Sequence, residues 1–150
     1  LIKDDSLVFL LVGYGPELEN LKKLAFNSGV DSRLLSIGRK KNAYHYMPLF
    51  DVYVMPSLSE GFPLALLEAV AIKMKVVCSN LDIFIEAFTE NEITFFILND
   101  INSLINSIHS AYNDHSKSQK AFERYLNQYT VKSMANRYHS LFLQLANKSI

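Results

Sequence analysis

The chain has 150 residues, 49% of them apolar and 12% aromatic, a composition that excludes a disordered chain and suits one folded domain. Its 15 basic and 15 acidic residues balance, so the charge predicts no nucleic-acid partner. The single cysteine, Cys78, lies in an apolar run and is typical of a buried, reduced thiol. The sequence shows no signal-peptide pattern and no apolar run long enough to span a membrane.

Apolar runs bounded by turn residues alternate with stretches of helical periodicity, which predicts a parallel sheet flanked by helices. The first run is continuous, as in a strand buried on both faces, and the helix after it should begin at Pro16 and end at Gly29. The predicted strands cover residues 6–12, 32–38, 51–55, 75–79 and 93–98. The predicted helices cover residues 16–28, 42–48, 63–72, 82–88, 100–111, 116–127 and 131–147.

Two of these helical segments carry further expectations. In the short helix from Asn42 to Pro48 and just after it, Tyr44, Met47 and Leu49 should face inward. Asn99 or Asp100 should cap the first of the three C-terminal helices. The four histidines show no metal-ligand spacing, and no metal site is predicted.

The stretch from Val54 to Glu68 carries the strongest functional signal. It combines a strand end, a polar loop and the start of a helix, with Pro63 expected at the first helical position. Gly61 permits close backbone approach, and free N–H groups at such a helix start suit a phosphate. Glu60 in the loop and Glu68 in the helix can each accept two hydroxyl hydrogen bonds, as a sugar diol requires. Without its context, the pair is more typical of one capping acid and one solvated acid than of a binding site.

Four segments in this order resemble the nucleotide-sugar-binding half of retaining glycosyltransferases of group 1, also called family 4. These enzymes have two Rossmann-like domains, an architecture termed GT-B. The resemblance runs from about Leu7 to Asp100 and rests chiefly on the two glutamates separated by seven residues. The matching segments are Leu11–Glu17, Ile37–Arg39, Asp51–Ser57 and Glu60–Ala69.

The resemblance implies one Rossmann-like domain over residues 1–150, with C-terminal helices packing over its sheet. The chain is then an N-terminally truncated piece of a cytoplasmic transferase, and the acceptor-binding domain lies outside it. That absent part would carry the acceptor sugar or lipid-linked sugar and any association with the inner face of the membrane. The enzyme class implied is a hexosyltransferase of capsule, exopolysaccharide or lipopolysaccharide synthesis, and the piece alone should be inactive.

The resemblance also assigns roles to individual residues. Glu60 is implied as the catalytic residue, in contact with the transferred sugar of a nucleoside-diphosphate sugar donor. Glu68 would accept hydrogen bonds from the ribose. Neither a cofactor nor a metal is implied, because backbone amides and basic groups would neutralise the diphosphate. The other donor-binding residues implied are Gly61, Phe62, Leu64, Gly13, Gly15 and Arg39.

The sequence departs from the family pattern after Glu68. Lys73 and Lys75 replace a usual Gly and Pro, which should alter the end of the helix, and the segment from Asn80 to Glu86 lacks the usual glycines. The Arg and Lys that hold the diphosphate in the family are not visible. Alternatives therefore stay open: a sugar-nucleotide epimerase or phosphorylase of the same fold, or a non-catalytic α/β binding domain. A receiver domain is disfavoured, since no phosphoacceptor Asp ends the third strand.

Overall fold

The computed structural model describes residues 6–147, and the chain forms two compact units that meet in sequence between Tyr46 and Met47. The strands are β1 (Phe9–Leu11), β2 (Leu34–Ser36), β3 (Val52–Met55), β4 (Lys75–Ser79) and β5 (Thr94–Phe96). The helices are α1 (Leu18–Asn27), α2 (Leu64–Ala71), α3 (Asp82–Ala87), α4 (Ile101–Asn113), α5 (Lys117–Gln128) and α6 (Val131–Asn147). Short 3-10 helices cover Asp31–Arg33 and Ala43–Leu49.

The first unit contains a two-stranded parallel sheet in which β1 pairs with β2. α1 ends at Asn27, and Gly29, two residues later, has a φ of +67°, a conformation that costs glycine least. The predicted burial of the first strand on both faces is wrong, because β1 contains no buried residue. Among the described residues this strand pairs with β2 alone, and its paired length is three residues where seven were predicted.

The second unit is built on a parallel sheet in the order β3-β4-β5. β4 has the predicted bounds and is the most buried strand, since it is hydrogen-bonded on both sides. Helices cover both faces of this sheet. One core combines α2, α3 and Ala121 of α5 with Tyr53 and Met55 of β3. The opposite core combines α4 with Val52 and Val54. The predicted parallel α/β class is confirmed.

The short helix that precedes β3 is of the 3-10 type, with about three residues per turn. Met47 is buried as predicted, with 5% of its surface exposed, whereas Leu49 is 72% and Tyr44 42% exposed. The expectation that Tyr44 and Leu49 face inward is therefore wrong. Phe50, three residues after Met47, packs against the core in place of Leu49, as the period of three requires.

The end of α2 has the left-handed turn that usually requires glycine, although Lys73 occupies the position with positive φ. Lys73 has a φ of +59°, and its amide donates to the carbonyl of Val70 at 2.9 Å. The amide of Met74 donates to the carbonyl of Ala69 at 3.0 Å, which completes a Schellman motif. The ammonium of Lys73 lies 4.7 Å from the centre of the Phe122 ring of α5, so the side chain ties α2 to α5.

The C-terminal helices differ in what they cover. Asp100 caps α4 as predicted, because its carboxylate accepts from the amide of Ser103. α4 packs on the sheet, as does α5, whereas α6 packs on α5. None of the described side chains of α6 is buried. Within residues 6–147, no helix combines the length and the apolar character that a membrane span requires.

Cys78 on β4 should make the fold sensitive to alkali. Burial raises the pKa of its thiol from 9.0 to about 12. A raised pKa means that the stabilisation is complete below pH 9 and is lost as the pH rises toward 12, by about 1.4 kcal/mol per unit. Between neutral pH and about pH 10.5, we expect the free energy of unfolding to fall by about 2 kcal/mol more than in Cys78→Ala. Urea unfolding at both pH values measures this difference, and an equal loss in the two proteins contradicts it.

Candidate functional site

The loop from Pro56 to Pro63 lies at the edge of the sheet where the parallel strands end. It follows β3 and leads directly into α2, as the sequence predicted. Hydrogen bonds along the same edge link the neighbouring strand ends. The hydroxyl of Ser79 donates to the carbonyl of Ser57 at 2.7 Å, and the amide of Asn80 donates to the carbonyl of Phe96 at 3.0 Å. In open α/β folds this edge is where ligands bind.

Glu60 is exposed in this loop, and its carboxylate accepts a hydrogen bond of 2.7 Å from the hydroxyl of Ser57. Glu68 is exposed on α2, between the buried side chains of Leu67 and Ala69. Both carboxylates are thus accessible to a ligand. Leu67 and Ala69, the residues on either side of Glu68, are buried in the core and hold α2 in place.

Both acids act electrostatically on the phenol of Tyr53 on β3. Burial raises the pKa of this phenol above 10.0, and the charges of Glu68 and then Glu60 raise it further. Glu68 lies about 6 Å along the axis of α2 from the start of the helix. In a βα unit the helix runs back over the sheet, antiparallel to its strand. Tyr53 lies about 7 Å back from the end of β3. Both carboxylates thus raise the pKa of the same phenol, that of Tyr53.

The start of α2 differs from the prediction by one residue and by one hydrogen bond. Pro63 precedes the helix with φ −82° and ψ 64°, the angles of an inverse γ-turn. Within that turn the amide of Leu64 donates to the carbonyl of Phe62 at 2.9 Å. The expectation that the Leu64 amide is free for a ligand is therefore wrong for this conformation.

Other amides at this helix start have no acceptor within residues 6–147. α2 has no side-chain cap, and the amides of Gly61, Phe62 and Ala65 donate no described hydrogen bond. A Cβ placed on Gly61 would meet no atom within 4 Å, so the space beside this backbone is open. These uncapped donors at the positive end of a helix suit an anion. The Ala65 amide was not among the predicted donor-binding groups.

Three residues of the site were missed by the sequence reasoning: Tyr53, Ser57 and Ser79. Strand alternation could have placed Tyr53 on the same face as Met55, beneath α2. The spacing Ser57-x-x-Glu60 is that of a capping pair, which could have suggested their hydrogen bond. The bond from Ser79 to Ser57 joins residues 22 positions apart, and local sequence carries no signal for it.

The remaining predicted site residues belong to the first unit. Gly13 and Gly15 lie between β1 and α1, and a Cβ at either position would meet no atom within 4 Å. Arg39 is exposed directly after Gly38, whose φ of +70° shapes the turn. The donor-binding roles of these three residues stay predictions. Among residues 6–147, no group of three or more His, Cys, Asp or Glu side chains is arranged to hold a metal ion.

Comparison with known proteins identifies the family. The family model for glycosyl transferases of group 1 matches residues 1–128, which is most of the chain. The chain belongs to this family. The O-antigen biosynthesis glycosyltransferase WclY of Escherichia coli is a relative that is 32% identical over 146 residues, 97% of this chain. That match covers 41% of WclY, so the chain spans about two fifths of the length of this relative.

Solved structures show the same fold at low sequence identity. The C-terminal domain of a group 1 glycosyl transferase, LpcC of Francisella tularensis, matches with a TM-score of 0.74 and 18% identity, over 86% of this chain and 73% of that one. The Anabaena protein HepE, solved in complex with UDP, matches with a TM-score of 0.80 and 17% identity, over 92% of this chain and 41% of that one. The expected Rossmann-like GT-B half-domain is confirmed as the fold.

Proposed function

We propose that this chain is the donor-binding part of a glycosyltransferase and binds a nucleoside-diphosphate sugar at the loop between β3 and α2. The observation that carries the proposal is the start of α2, where uncapped amides lie in sequence between two exposed carboxylates, Glu60 in the loop and Glu68 in the helix. Both carboxylates raise the pKa of the Tyr53 phenol. The family supports a transferase over the epimerase, phosphorylase and non-catalytic alternatives. The relative WclY, named for O-antigen biosynthesis, supports a role in polysaccharide synthesis.

The diphosphate would lie at the start of α2. The amides of Gly61, Phe62 and Ala65 point to this role because they have no other described acceptor. Together with the helix dipole they would stabilise the charge that grows on the diphosphate as the bond to the sugar breaks. No metal is needed for this contact.

The two carboxylates would contact different parts of the donor, the ribose and the transferred sugar. Glu68 lies further along α2 and would accept hydrogen bonds from the ribose hydroxyls, which are good partners for a carboxylate. Glu60 lies in the loop and would hold the transferred sugar for attack by an acceptor hydroxyl from the same face, so that configuration is retained. The acceptor would be bound by a further domain, since the chain spans two fifths of the length of WclY.

Calorimetric titration tests the proposal. UDP, GDP and ADP, each with a matching sugar nucleotide, are titrated into the chain at low and high salt. We expect weak binding of one nucleoside diphosphate that becomes weaker as salt rises, because the contact with the diphosphate is electrostatic. Glu60→Gln should leave the affinity for the nucleoside diphosphate unchanged and reduce only the additional affinity that the sugar gives to the sugar nucleotide. Absence of binding by all six compounds contradicts the proposal.

A further inference from the structure

The orientation of Glu60 is set by a short series of hydrogen bonds that begins in the core. Ser79 on β4 is fully buried, and its hydroxyl donates to the carbonyl of Ser57. The half-buried Ser57 in turn donates its own hydroxyl to the carboxylate of Glu60, and both bonds measure 2.7 Å. An exposed carboxylate is thus connected to the central strand through two hydroxyl groups.

The anchor of this series is one of the most constrained parts of the second unit. β4 is paired with β3 and β5, and four of its five residues, including Ser79, are buried. The next residue, Asn80, fixes the neighbouring strand end: its amide donates to the carbonyl of Phe96, and its side-chain oxygen accepts from the amide of Leu98. Ser79 therefore has little freedom to move, and neither has the carbonyl of Ser57 that it holds.

A free glutamate on an exposed loop samples many rotamers, and ordering it on binding costs free energy. A hydroxyl that already holds the carboxylate removes part of that cost before a ligand arrives. The net value of a single hydrogen bond, about 0.5–1.5 kcal/mol, corresponds to about a 2- to 13-fold change in affinity.

Resting on the proposed function, we infer that Ser57 is a positioning residue for Glu60, held in place by Ser79, and that it preorganises Glu60 for the transferred sugar. Ser57 itself does not touch the donor. Its effect is confined to the part of the ligand that Glu60 contacts, which is the sugar and not the nucleoside diphosphate.

Paired titrations of Ser57→Ala test this inference. The nucleoside diphosphate that binds among UDP, GDP and ADP is compared with its sugar nucleotide. We expect Ser57→Ala to lower affinity for the sugar nucleotide about 2- to 13-fold and to leave affinity for the nucleoside diphosphate unchanged. Ser57→Thr keeps the hydroxyl and should restore the wild-type ratio. Ser59→Ala is the matched control, because Ser59 is exposed in the same loop and makes no described hydrogen bond.

If Ser57→Ala merely disordered the loop, it would lower the affinity for both ligands equally. An equal loss of affinity for the two ligands therefore overturns the positioning role. In the Glu60→Gln background, Ser57→Ala should have no further effect on the ratio. If wild type favours the sugar nucleotide and Ser57→Ala retains that preference, the inference fails while the proposed function stands. If wild type binds neither ligand, both fail. Without any ligand, NMR couplings about χ1 should show one Glu60 rotamer in wild type and averaging in Ser57→Ala.

Discussion

Replacing Glu68 by Gln should weaken binding of the nucleoside diphosphate by roughly 10- to 150-fold, the cost of losing one charged hydrogen-bond acceptor of about 1.5–3 kcal/mol. The substitution keeps the size of the side chain and removes the charge that attracts the ribose hydroxyls. Since Glu68 is exposed on α2, the free energy of unfolding should hardly change. Calorimetric titration of wild type and variant with the same nucleotide gives the ratio directly.

Glu90→Gln is the matched control for Glu68→Gln. Glu90 is also exposed and belongs to the second unit, but it precedes β5 and so lies at the opposite edge of the sheet. The two variants change the net charge equally. If both lower the affinity by the same factor, the effect is one of overall charge, and Glu68 has no special contact with the ribose.

Phe88→Ala should produce the largest loss of stability, about 3–5 kcal/mol, because it removes a large side chain from the core. Phe88 is 0% exposed, and its ring centre lies 5.6 Å from that of Tyr129. A domain of this size is stable by about 5–15 kcal/mol, so the variant should lie close to unfolding. Urea denaturation followed by circular dichroism measures the change.

Tyr129→Phe is the control for Phe88→Ala. The phenol of Tyr129 donates to the carbonyl of Ala87 at 2.9 Å, and its removal leaves the ring pair intact. The expected loss is about 1 kcal/mol. A smaller loss in Phe88→Ala than in Tyr129→Phe contradicts the packing described for this core.

The parts of the fold that the sequence predicted well are those where burial alone decides the structure. β4 has the predicted bounds because a continuous apolar run finds a partner strand on each side. Within residues 6–147, β1 pairs with β2 alone, and three of its seven predicted residues are paired. The exposure of Leu49 was mispredicted because the segment is a 3-10 helix, whose period of three places Phe50 and not Leu49 on the face of Met47.

Residue types and spacing predicted which segments carry the acids of the candidate site, but not the hydrogen bonds within it. Glu60 and Glu68 lie in the loop and helix expected from the Pro and Gly positions. The engaged amide of Leu64 was not predicted, since the ψ of Pro63 separates an inverse γ-turn from a helix start, and proline fixes only φ. The anchoring of Ser57 by Ser79 depends on β3 pairing with β4 and is visible only in three dimensions.

The most direct test of the donor site is an NMR titration of the chain with the nucleoside diphosphate that binds most tightly among UDP, GDP and ADP. We expect the largest amide shift changes at Gly61, Phe62 and Ala65, whose N–H groups have no acceptor in the described part of the chain, with smaller changes near Glu68. Ser57→Ala should leave this pattern in place. Shift changes confined to residues outside 56–68, or none at millimolar nucleotide, would contradict the assignment of the site to the loop between β3 and α2.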